Sequence, residues 1–405
     1  MGRRIFLALI ALVILSRVGH ACLWDSDTLE MERSRFPSVL ELITGKFRRH
    51  SKEFYEWRIK DRLARLEAAS ATGKPALYDD LAVAYEKTGQ TDRAIEVALE
   101  LEELFPGRYE TAANLGTFYI HNGEFDRGLE LIDRALEINP DAHFGRERYQ
   151  KLLVEYVQAN MTERQLKLPI SSDDGSGFYP EGFAAFLLEA EGINVIENRE
   201  AADEEFDKAR TGVLGMMRFG NFDSPVLLEV LADLLSESTE DKDAKLLAAR
   251  ALLRASELTS GDVRLEYRAR AKSALTMQLS ASAVEYKNTN EINLKEVENQ
   301  FAGELADAEN WFADLQADEL RWMEEGKNPE DEFLAKYHSA PSTVSPPVPP
   351  PNLTERISTN GQIVILIAVV AFIPVVICVV VVIAIVRLFL KRRSVSAQIT
   401  DADGK

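Results

Sequence analysis

Apolar positions return every three or four residues in two stretches of equal length, DLAVAYEKTGQTDRAIEVALELEELFP (80–106) and NLGTFYIHNGEFDRGLELIDRALEINP (114–140). Each predicts two amphipathic helices about a glycine-containing turn, closed by a proline that cannot continue the second helix. Leu81, Ala82, Tyr85, Gly89, Ala94, Leu101 and Pro106 align in turn with Leu115, Gly116, Tyr119, Gly123, Gly128, Ala135 and Pro140, every pair at the same offset. Small residues fall where the second helix crosses the first, and an aromatic one sits one turn on. A helix pair of this kind cannot bury its apolar face alone, so the units must stack.

On these residues and this spacing the segment resembles the tetratricopeptide repeat family, with the repeats placed at 73–160. Ala98 and Ile132 stand where that family more often has a larger aromatic, and Gly128 stands in place of the usual alanine. Both departures predict looser packing within the same fold. HFGRERYQKLLVEYVQ, from His143, opens a third unit or a cap. Weaker echoes follow in Ala202, Phe206 and Ala209, and again in Leu231, Ala232 and Leu235 before Ala244, Ala248 and Ala251, so 181–280 reads as degenerate helical stack. The Gly, Ser, Pro and Asp content of 168–182 marks a break between two sub-stacks.

Ahead of the repeats, 22–72 predicts a helical cap, with Phe54, Trp57, Leu63 and Leu66 at helical spacing. Behind them, 290–326 predicts one long amphipathic helix through Val297, Phe301, Leu305, Ala308, Phe312, Leu315 and Trp322. It reads as a C-terminal cap; coiled-coil dimerisation is the alternative, disfavoured by Glu298 and Glu319 in the seam. The expected fold is therefore all-α, a helical-hairpin solenoid.

The two ends change the picture. Residues 1–21 combine Arg3 and Arg4, an apolar run from Ile5 to Leu15, and the small residues Gly19 and Ala21, the make-up of a secretory signal peptide. RRIFL also resembles a twin-arginine core, though so apolar a run favours the general secretion route. A cut after Ala21 leaves Cys22 first, either lipidated or as a plain thiol; the residues Gly19-His20-Ala21 depart from the usual lipoprotein pattern. From Ile363 to Val386 every residue is apolar, a run long enough for a transmembrane helix. Arg387, Lys391, Arg392 and Arg393 follow it, which puts the tail 387–405 in the cytoplasm and the body outside. Six prolines in 338–356 predict an extended stalk between the two. The expected location is thus a single-pass membrane protein with an extracytoplasmic body.

The net charge of -19 understates the acidity of that body. Without the first 21 and last 19 positions, 39 basic residues stand against 64 acidic ones, a charge of -25 that argues against nucleic acid as a partner. The two cysteines, Cys22 and Cys378, fall at opposite ends in different compartments, which excludes a disulfide framework. Five histidines include no HExxH and no i, i+4 pair, and there is no GxSxG, Walker A or Rossmann fingerprint. No metal, cofactor or catalytic residue is expected. The competing class is a carboxylate-dependent envelope hydrolase using acids between Leu168 and Glu240.

What the family resemblance implies is a groove lined by first helices that holds a segment of a protein partner at the envelope. Carried over position by position, that groove comprises Asp79, Val83 and Glu86, then Ala113, Asn114, Thr117 and His121, then Arg148. Asn114 and Arg148 fall at two positions of a carboxylate clamp, but Phe144 occupies another basic position, so a basic or mixed segment fits better. CLWD after the signal and DAHFGRERYQ closing the repeats resemble bacterial membrane-anchored proteins, which implies no activity.

Overall fold

The structure, a computed structural model, describes residues 25, 36–140, 145–171, 180–237, 243–276 and 293–337. All of them fall within one compact unit, Met1–Val284 with Glu291–Val348. The expected signal peptide, Cys22, the stalk 338–356, the span 363–386 and the tail 387–405 lie outside the described residues. Among those described, no helix is long and apolar enough to cross a membrane.

Two helices precede the repeats. The first, α1 (Val39–Thr44), is opened by a capping box in which Ser38 Oγ accepts from the Glu41 amide and the Glu41 carboxylate accepts from the Ser38 amide. The second, α2 (Lys52–Ala68), is capped by Ser51 and lies on α3 (Lys74–Lys87). Then come α4 (Thr91–Leu104), α5 (Tyr109–His121), α6 (Phe125–Ile138) and α7 (Arg146–Ala159), each packed on the next, with α3 also touching α5.

The constant offset between the repeats is visible in the backbone. Gly89 and Gly123 both take φ +80°, and the amides of Gln90 and Glu124 reach back to the carbonyls of Tyr85 and Tyr119 at 2.9 and 2.8 Å. That turn requires a left-handed residue, which glycine supplies without strain. At the second-helix ends, Phe105 and Asn139 donate to Leu101 and Ala135 at 2.8 and 2.9 Å, so each repeat closes as the other does.

The expectation of looser packing at Gly128 is corrected. A Cβ there would lie 2.6 Å from Ile120 Cγ1 and 2.8 Å from the Gly116 carbonyl oxygen; one on Gly116 would lie 3.1 Å from the Gly128 carbonyl oxygen. The two glycines let the backbones of α5 and α6 approach more closely than an alanine pair permits. Ile132, where a ring is more usual, fills the space beside Gly116 and is fully buried.

After α7 the chain makes a short hairpin of β1 (Met161–Thr162) and β2 (Gln165–Leu166), with Met161 opposite Leu166. Glu163 and Arg164 turn it at φ +52° and +60°. This departs from the purely helical expectation. Beyond it lie α8 (Gly182–Ala190), α9 (Arg199–Met216) continuing into a π turn (Met217–Asn221), α10 (Pro225–Ser236), α11 (Ala244–Glu257) and α12 (Gly261–Thr276). Leu231, Ala232, Leu235, Ala244, Ala248 and Ala251 are all buried in the largest core cluster, which runs through α7 to α12 and takes in α1.

The last helices are α13 (Leu294–Glu324) and α14 (Pro329–Tyr337). Rather than simply covering the last helix pair, α13 lies against α11 and α12 and also against α1 and α2. Its apolar seam is used within the chain, Val297, Phe301 and Leu305 entering the largest core. The seam carboxylates have partners: Glu319 accepts from His50 Nδ1 at 2.6 Å and from the Ser51 amide at 3.0 Å, and Glu298 pairs with Arg268 at 2.5 Å. A second tie comes from Glu330 on α14, which binds Arg58 at 2.8 Å and also Arg62, both on α2. Buried Arg62 in turn holds Asp80 of α3 at 2.8 Å.

Candidate functional site

The residues assigned to the groove lie on α3, α5 and α7, and seven of the eight are withdrawn from solvent. Asp79, Val83, Glu86, Ala113, Asn114 and Thr117 are each at most 3% exposed, and the His121 side chain is no more open. Arg148 alone keeps substantial exposure, with 40% of its side chain accessible.

Their polar groups are engaged internally. Arg108 clasps both oxygens of Asp79, at 2.7 and 3.2 Å. Burial pushes the Asp79 carboxyl up to about 7 against the pull of Arg108, with Glu110 and Asp80 adding to the rise. His121 Nδ1 meets Glu86 Oε1 at 2.7 Å, joining adjacent first helices. Gln150 donates to Thr117 Oγ1 at 3.0 Å, joining α7 to α5. Arg148 pairs with Glu191 at 2.5 Å and Glu205 at 3.2 Å, and Tyr149 also donates to Glu205 at 2.9 Å. Asn114 and Arg148 are thus both present, but Arg148 is held by two acids instead of standing free for a carboxylate.

The sequence reading missed the basic groups of the interior. Lys87 at the end of α3 donates to the carbonyls of Phe219 and Gly220 at 2.8 and 2.7 Å, tying the repeats to the π turn. Arg146 and Arg218 are buried there with their guanidinium groups 4.8 and 5.0 Å from the Phe219 ring centre. Glu147 is 1% exposed and among the described residues neither carboxylate oxygen takes a hydrogen bond, Arg146 being its ion-pair partner at 3.9 Å. No local motif marks these positions. A basic residue next to an acid on a first helix is ordinarily a solvated pair.

A different constellation occupies the stretch considered for carboxylate chemistry. Glu229 on α10 is completely buried and accepts from the amides of Ile170 and Ser171, from Tyr267 at 2.7 Å and from Arg270 at 2.6 Å. One turn on, Asp233 accepts from the Phe183 amide at 3.0 Å and from Arg270 at 2.8 Å. Burial raises the Asp233 pKa well above the usual carboxylate range despite Arg270. Burial alone would lower Arg270, yet Asp233 and Glu229 lift it above the ordinary arginine value. Each carboxylate is thus committed to amides or side chains on other segments, the work of a clasp. Among the described residues no group of three or more His, Cys, Asp or Glu could hold a metal ion.

Residues 109–142, which contain α5 and α6, match the tetratricopeptide repeat family. Among curated proteins none matches the chain.

Proposed function

We propose that this chain, which carries a tetratricopeptide repeat at 109–142, is a membrane-anchored scaffold whose extracytoplasmic helical body binds protein partners at the cell envelope. The observation that carries this reading is the repeat itself: a helix pair whose turns and helix ends recur at one constant spacing, in a family that mediates protein–protein interaction. The apolar run 363–386 with its basic flank and the signal-like residues 1–21 support the anchor and the orientation.

Within this reading, the inner-face residues engage a partner segment by exchanging internal pairs, Arg108 with Asp79 and His121 with Glu86, for partner contacts. Arg148 is the entry point, being the most exposed of the set. The hydrolase alternative loses ground because Glu229 and Asp233 are saturated by Arg270, Tyr267 and backbone amides.

The test is photo-crosslinking in native membranes from residues of the body, followed by identification of the adducts. The expected result is a small, reproducible set of envelope proteins. Recovery of no protein adduct above the level of a crosslinker-free control overturns the scaffold reading.

A further inference from the structure

Apart from the inner face and its internal pairs, the repeats carry an open crevice. This crevice, of about 550 Å³, runs between α4 and α6, with Ala112, Leu115 and Tyr119 of α5 also lining it. Leu99 and Leu131 form its apolar walls, and Leu99 is 42% exposed. The two flanking helices carry nine acidic residues against three arginines.

The arginines at the crevice are already committed. Arg134 crosses it to Glu102 Oε1 at 2.7 Å, and Arg127 lies 4.0 Å from the Tyr119 ring centre. The acids are not all matched. Among the described residues Glu102 Oε2 is buried in the wall with no hydrogen-bond donor, its partner oxygen serving Arg134 and the Gly107 amide. Glu130 and Glu137 line the rim, exposed and without an ion pair among the described residues. A buried carboxylate oxygen lacking a donor, beside open apolar walls and an unbalanced acidic rim, is complementary to a cation carried on an aliphatic segment.

We infer that the crevice between α4 and α6 is a docking site for a short segment of a protein partner in which lysine or arginine alternates with leucine-like residues. The inference rests on the scaffold reading and gives it a surface apart from the inner-face pairs, crossed by the half-exposed Arg134–Glu102 pair. The aliphatic side chains would seat between Leu99 and Leu131, and the cation would reach Glu102 with Glu130 and Glu137 around it.

The test uses the full chain in detergent with a fluorescent peptide that alternates lysine and leucine and carries a photoreactive leucine. Its counterpart has glutamate in place of lysine. The expected result is saturable binding of the lysine peptide only, with adducts on α4 and α6. Binding should weaken about tenfold in the L99K/E130K double variant, equal to about 1.4 kcal/mol. The exposed control pair A302K/E309K on α13, which changes net charge by the same amount, should leave it unchanged.

Equal weakening by both pairs, or adducts on other helices, overturns the crevice and reduces the effect to general acidity. No saturable binding of the lysine peptide overturns its chemistry. Loss of self-association in L99K/E130K assigns the crevice to a second copy of the chain, and so also overturns it. The two readings fail separately. Envelope proteins crosslinked only from other faces sink the crevice and leave the scaffold, whereas a seated peptide with no envelope protein captured does the reverse.

Discussion

The repeat helices α3 to α6 and the later helices α9 to α12 solve the same packing problem by different means. None of α3 to α6 has a side-chain N-cap, and α5 meets α6 through facing glycines. In the later half Asn198 and Ser224 cap α9 and α10, and α10 is fixed to α12 by the buried Glu229, Asp233 and Arg270. The α5–α6 contact of the repeat half rests on shape, while the pairs Arg108–Asp79 and His121–Glu86 join its first helices. The later half is specified by a few charges, each reaching segments distant in sequence. Loss of a methyl-sized space should therefore hurt the α5–α6 contact, and loss of a single charge the α10–α12 contact.

The largest effect is expected for Arg270→Met, which strands two buried carboxylates. It should destabilise by about 3–5 kcal/mol in urea titration, the usual cost of breaking a buried ionic cluster from one side. The E229Q/D233N/R270M triple variant should recover much of that loss, and failure to do so would show that the residues matter for shape instead.

Gly128→Ala comes next, at about 1–3 kcal/mol, because its Cβ meets the Gly116 carbonyl oxygen, which belongs to backbone and cannot rotate away. A neutral or stabilising outcome in thermal melts would mean that α5 and α6 can separate freely. Ser224→Ala should cost about 1 kcal/mol through loss of the Leu227 amide's acceptor.

A smaller effect spans both halves. Burial pushes Asp79 and Glu237 up to about 7, Glu237 against the pull of Arg199, and raises Asp233 as well. Between about pH 4, where carboxyls of an unfolded chain release their protons, and about 7, the folded state holds protons that the unfolded state has lost. These groups therefore contribute stability at the acidic end that fades as pH rises. The melting temperature should climb by a few degrees from about pH 7.5 to about pH 5.5, and E237Q should flatten part of that climb. A melting temperature that falls over that range would contradict the assignment.

The same contrast explains what could be read from the residues alone. Leu81, Ala82, Tyr85, Leu115 and Tyr119 are all buried, because a repeated spacing of size and shape reports local sterics. The closeness at Gly128 was not legible: absence of a methyl group reads as looseness until the facing glycine is known. Nor was the engagement of Asp79 and Glu86, since acids on a first helix give no sign that Arg108 or His121 will neutralise them. Glu319 illustrates the limit most clearly. In the sequence it weakens a seam, while in the fold it is the acceptor for His50, 269 positions earlier.

That separation has a consequence for how the molecule is made. Buried His50 and, on α2, Arg58 and Arg62 each bind a carboxylate of α13 or α14, so this early segment awaits the last described helices. At roughly 5–20 residues per second, about 270 residues take some tens of seconds to synthesise. Throughout that interval Arg58, Arg62 and His50 lack the carboxylates of Glu330 and Glu319. The nascent body passes through a stage in which its repeats can be complete while α2 is still unsealed, and during that stage a chaperone would have most to hold.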